Sequence, residues 1–95
     1  MTVDWSDHAI ADLTDIHDYI ARSSPFYARK MVDRLTRRFD QIASHPKSGR
    51  RVPEYDREEI REIFEGDYRM IYRIGNERIT VLAILHGARR LPSAL

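Results

Sequence analysis

The sequence predicts an α+β fold, with an N-terminal antiparallel helical hairpin packed on a three- to four-stranded antiparallel sheet. Three observations carry that prediction. Apolar residues recur at steps of three and four over the first half of the chain, a Ser23-Ser24-Pro25 break divides that stretch in two, and from Ile60 the apolar period falls to two.

Thr2 to Trp5 reads as a short extended segment, followed by Ser6 as a good N-cap. Ala9, Ile10, Leu13, Ile16, His17 and Ile20 mark the buried stripe of a first helix from about Asp7 to Ala21. Asp7 also suits the positive end of that helix. Ser24 caps a second helix with Pro25 at its first position, and Ala28, Met31, Val32, Leu35, Phe39 and Ile42 carry its stripe to about His45. So short a connection makes the helices antiparallel neighbours. The outer face of the second helix is basic, with Arg29, Lys30, Arg34, Arg37 and Arg38, and is expected to be solvated or to face a partner.

His45-Pro46-Lys47-Ser48-Gly49 is a breaker, and the polar run to Asp56 reads as a surface loop. Ile60 to Glu65, Tyr68 to Ile74 and Arg78 to His86 read as three strands joined by tight turns at Gly66-Asp67 and Gly75-Asn76. They form an antiparallel meander that Thr2 to Trp5 can extend, with the helices on one face. With no internal repeat or low-complexity tract, residues 1–95 are expected to be a single domain.

A chain of 95 residues holds one core and little internal cavity, so a large enclosed active site is not expected. The absence of cysteine excludes disulfides and thiolate metal sites and suits a reducing cytoplasm. No segment approaches the ~20 apolar residues of a membrane span. The net charge of +1 hides an uneven distribution. Residues 4–18 carry Asp4, Asp7, Asp12, Asp15 and Asp18 without a lysine or arginine, whereas from Tyr68 onward five arginines face only Glu77, a local charge of +4. That excess suits an anionic partner.

The strand Tyr68 to Ile74 alternates Tyr68, Met70, Tyr72 and Ile74 with Arg69, Ile71 and Arg73. The first set is the better core face, leaving Arg69 and Arg73 on the open one. Held on a rigid strand, they are pre-aimed donors for phosphate or carboxylate, or partners for Glu62 or Glu65 across the sheet. His86 ends the last strand with Arg89 and Arg90 close behind, where it could act as a general acid or base, though no carboxylate at fixed spacing orients it. His8, His17 and His45 are scattered and make no metal site, and the common catalytic signatures are absent.

Trp5-Ser6 with Ala9 and Asp12-Leu13, then Tyr19-Ile20, Ala28, Pro46-x-x-Gly49-Arg50, Val52-Pro53-Glu54, Arg61-Glu62, YRMIYRI and His86-x-x-Arg89 follow in an order that resembles the RelE/ParE toxin superfamily. The resemblance covers nearly the whole chain. It implies the toxin of a type II toxin-antitoxin pair, held in a hetero-oligomer by a cognate antitoxin protein, without a cofactor. One branch of the superfamily cuts mRNA in the ribosome; the other poisons DNA gyrase. By that resemblance Arg69 and Arg89 would stabilise phosphate charge during RNA cleavage, assisted by His86 or Tyr72. Where the RNA-cleaving branch has paired strand lysines, this sequence has Ile60 and Glu62, an acid expected to repel RNA, and the LPSAL after Arg90 offers no counterpart to that branch's C-terminal tyrosine. Those departures and the GRRVPE loop favour the ParE-like branch. Its target-binding residues would be Arg69, Arg73, Arg89 and Arg90. A non-toxic binding module on the same scaffold is the third possibility.

Overall fold

The computed structural model describes residues 1–87. The elements follow as β1 (Thr2–Trp5), α1 (Asp7–Ala21), α2 (Pro25–Ile42), a 3-10 turn (Pro46–Ser48), β2 (Arg50–Arg51), β3 (Ile60–Glu65), β4 (Tyr68–Ile74) and β5 (Arg78–His86). The two serines work as caps. The Ser6 hydroxyl accepts from the Ala9 N–H at 3.1 Å, and the Ser24 hydroxyl accepts from the Tyr27 N–H at 3.2 Å. α2 ends at Ile42, before His45, because the chain tightens there: the Ser44 N–H donates to the Gln41 carbonyl and the His45 N–H to the Ile42 carbonyl.

The sheet departs from the expected antiparallel arrangement of three or four strands. Among the described residues it has five strands in the order β1-β5-β4-β3-β2, and β1 runs parallel to β5. A parallel pair needs a long crossover, and here the hairpin and the meander together supply it. β2 is only two arginines paired antiparallel to Glu62 and Arg61, too short and too polar to show an alternation. The β3–β4–β5 meander is antiparallel, as expected.

Both helices lie on one face, over Ile63, Met70, Tyr72, Ile79, Val81 and Ile84. Trp5, Phe39 and Tyr72 meet edge to face within that core, with ring centroids 5.3 and 6.3 Å apart. α1 is the shallower helix: Ala9 is buried, Leu13 and Ile16 are partly so, and Ile10, expected in the buried stripe, is exposed.

The face away from the helices is covered in part, with Phe64 and Arg73 left exposed. Val52, Ile60, Ile71, Leu82 and Ala83 form a second apolar cluster there, joined by Tyr55 and Leu85. A register shift between Ile71 and Tyr72 sets Tyr72 opposite Val81 and Ile71 opposite Ala83, so Leu82 is the extra residue of a β-bulge. α1 stitches this irregular stretch. The Ser6 hydroxyl donates to the Leu82 carbonyl at 3.3 Å, and the Ile84 N–H donates to Asp12 Oδ2 at 3.0 Å.

Candidate functional site

Arg69 lies on the face away from the helices, as the alternation requires, yet it is only 8% exposed. The expectation of an open arginine is therefore corrected. The carboxylate that encloses it is on β3. Glu62 stands diagonal to Arg69 across the β3–β4 ladder, is 1% exposed, and accepts from Arg69 Nε at 2.8 Å and Nη2 at 2.6 Å. From the covering loop, Glu54 accepts from Nη1 at 2.9 Å and Nη2 at 3.2 Å. Arg50, opposite Glu62 on β2, donates its Nε to the second Glu62 oxygen at 2.7 Å and lays its guanidinium over the Phe64 ring.

The result is a neutral square of two arginines and two glutamates. Its electrostatics follow from the fork geometry of Arg69. Hydrogen bonds from Arg69 hold the Glu54 carboxyl below its ordinary pKa, and those same bonds raise that of Arg69. Glu62 is thus a buried counter-ion rather than an acid exposed to RNA. Sequence reasoning paired Arg69 with Glu62 only as an alternative and missed Glu54. The available signal was the apolar run ITVLAIL: a strand apolar at consecutive positions is covered on both faces.

Tyr72 is fully buried on the helix side. Its hydroxyl donates to the Pro46 carbonyl at 2.5 Å and accepts from the Gly49 N–H at 3.1 Å, pinning the turn that leads into Arg50. Burial raises its pKa above the usual 10.0. Gly49 is required at this close approach, because a Cβ there would collide with the Tyr72 hydroxyl and come within 2.7 Å of the Glu62 carbonyl oxygen. From the same turn, the Gly49 carbonyl accepts from Arg61 Nη1 at 3.1 Å.

Arg73 is exposed near the end of β4. There it adds to the pull by which the Glu59 backbone N–H, first, and Arg57 keep the Glu59 carboxyl below its ordinary pKa. His86 sits at the opposite end of the sheet, exposed, edge-on to Tyr68 at 6.0 Å between ring centroids. It lines an open cleft of about 900 Å³ between α1 and the strand ends, shared with Asp12, Asp15, Tyr19, Arg22 and Asp67. The structure therefore separates the expected residues. Arg69 is locked in the square, Tyr72 is on the other face, Arg73 and His86 are at opposite ends, and Arg89 and Arg90 lie outside the described residues. Among the described residues no group of His, Cys, Asp and Glu is arranged to hold a metal ion, and no helix is long and apolar enough to cross a membrane.

The family model of the ParE toxin of type II toxin-antitoxin system, parDE, matches residues 3–91. This chain belongs to the ParE toxin family. It is 34% identical over 85 residues to Toxin RelE2 of Caulobacter vibrioides, covering 90% of this chain and 93% of that one. Among solved structures it resembles a chain of the chromosomal ParDE TA system from P. aeruginosa, with a TM-score of 0.71 and 23% identity over 88% of this chain and 92% of that one. At that identity the second likeness speaks for the fold alone. The superfamily resemblance read from the ordered motifs is borne out, and with it the coarse function, a toxin of the type II toxin-antitoxin kind. The α+β architecture of two helices on a sheet is shared with that solved chain.

Proposed function

We propose that this toxin acts in the ParE manner, trapping DNA gyrase on cleaved DNA without covalent chemistry of its own, and that a cognate antitoxin protein neutralises it in a hetero-oligomer. The observation that carries the choice of target is the locked Arg69. A guanidinium whose fork is filled by Glu54 and Glu62 has no free edge for a scissile phosphate. The Tyr72 hydroxyl, the assisting group an RNA-cleaving reading would use, is committed to the Pro46–Gly49 turn. In this reading Arg69 holds the β3–β4 face in shape, and Arg73, Arg89 and Arg90 make the target contacts. The antitoxin partner is supported by the match of residues 3–91 to the family model of the ParE toxin of type II toxin-antitoxin system, parDE.

RelE-type cleavage of mRNA in the ribosome is the second reading. The specific observation in its favour is the exposed His86 beside an open cleft at the end of β5.

One experiment separates the two. Purified protein is incubated with gyrase, ATP and plasmid, and in parallel with translating ribosomes and mRNA. Linear plasmid after detergent and protease, with intact mRNA, is the expected result. Cut mRNA with intact plasmid would overturn the gyrase reading, and growth unimpaired by induction of soluble protein without antitoxin would overturn both.

A further inference from the structure

We propose that the outer face of α2 is a docking stripe for a nucleic-acid backbone, with an aromatic platform at its first turn. The helix carries five cations, Arg29, Lys30, Arg34, Arg37 and Arg38, against Asp33 and Asp40, a charge of +3. At 3.6 residues per turn, Phe26, Lys30, Arg34 and Arg37 fall along one side, opposite the buried Ala28, Leu35, Phe39 and Ile42. From Phe26 to Arg37 the stripe is about 16 Å long, room for several phosphates. Lys30 and Arg37 are exposed. Arg34 reaches Glu65 at 3.5 Å with both groups partly solvated, a pair weak enough to exchange for a phosphate.

The aromatic residues decide the class of partner. Phe26 and Tyr27 are 54% and 64% exposed, so the core does not account for them. Their rings meet edge to face at 5.5 Å, and Lys30 Nζ lies 4.8 Å from the centroid of Phe26. Exposed rings beside a row of cations are the combination that stacks bases while neutralising the backbone. An acidic protein surface would account for the cations alone. The neighbouring helix sharpens the placement: α1 has Asp7, Asp12, Asp15 and Asp18 and no lysine or arginine, so a polyanion is steered onto α2 and away from α1.

The test needs neither gyrase nor ribosome, so its failure and that of the target reading are distinguishable. The purified chain is titrated, by fluorescence anisotropy, into a labelled oligo-dT strand, an oligo-U strand and a DNA duplex of equal length. Three phosphate contacts predict that single-strand affinity falls roughly 20-fold between about 50 and about 200 mM salt. Changing Lys30, Arg34 and Arg37 together to Gln should remove most of that salt dependence for every probe, with the thermal melt unchanged because the three side chains lie at the surface. Phe26→Ala with Tyr27→Ala should weaken the single strands about tenfold or more and spare the duplex. Undiminished binding by the triple variant would overturn the stripe, as would binding that disappears only when Arg89 and Arg90 are changed to Gln. Single-strand binding untouched by loss of both rings, together with equal competition by polyglutamate, would mean an acidic-protein surface and overturn the nucleic-acid assignment.

Discussion

On the helix side of the sheet, Trp5, Phe39 and Tyr72 meet edge to face among aliphatic side chains, whereas the far side joins a small apolar cluster to a square of Arg50, Glu54, Glu62 and Arg69. The helix side excludes water by apolar packing, whereas in the far side's square only Glu62 and Arg69 are withdrawn from water and their partners Arg50 and Glu54 stay exposed at its rim. Apolar burial tolerates imperfect geometry and adds up with area; an ion pair taken out of water is sustained only while every partner stays in place. The far face should therefore be the more brittle of the two, costly to break at one atom and cheap to replace as a whole.

The largest effect expected falls on the apolar side. Phe39→Ala should lower unfolding free energy by about 3–5 kcal/mol in a urea melt, since it removes the ring that joins Trp5 to Tyr72. Next comes Arg69→Ala, at about 3 kcal/mol, because it strips the buried Glu62 of one of its two cations. Exchanging Arg69 and Glu62 together for Leu should instead return stability to within about 1 kcal/mol of the parent. If the single change costs no more than a surface substitution, or the double change costs more than the single, the far face is not held by a buried ion pair.

Tyr72→Phe probes the seam between the faces. It leaves the Gly49 N–H and Pro46 carbonyl without their partner and should cost about 1–2 kcal/mol. The parent protein should also lose stability as pH rises beyond 10. Burial raises the folded pKa of Tyr72, so its contribution is complete below the unfolded value and is lost as pH passes the folded one. In the Phe variant that alkaline decline should be shallower. The smallest effect, about 0.5 kcal/mol at neutral pH, is expected for Glu54→Gln, whose carboxylate is partly solvated. Because the Arg69 bonds lower its folded pKa, the contribution is present above 4.5 and fades as pH falls through the folded value. The variant should flatten the acid limb of the stability curve, and an unaltered limb would mean that Glu54 is not held by Arg69 in solution.

The same contrast explains what could be read from the sequence. Helix and strand boundaries followed from period and caps: Ser6, Ser24 and Pro25 fixed the helix starts, and the alternation around Met70 and Tyr72 identified the helix-side face. Alternation states which way Arg69 points but not what covers it. The cover comes from residues 52–55, a stretch without period, and from Glu54, whose relation to Arg69 exists only after folding. The bulge at Leu82 also hid the phase of β5, since one extra residue exchanges the two faces midway along the strand. The parallel pairing of β1 was illegible for a similar reason: its partner begins 76 residues later at Arg78.

That pairing bears on the order in which the protein can be made. β5 emerges after the other four strands during synthesis, yet it occupies an interior position between β1 and β4 and provides the surface on which α1 rests. Until β5 is released, β1 has no partner, Ser6 and Asp12 have no strand to hold, and the aromatic core lacks its floor. So many contacts between distant parts of the chain make for slow, late folding. A nascent toxin of this design stays without its completed fold until β5 has left the ribosome, which leaves time for a binding protein already in the cell to meet it as it closes.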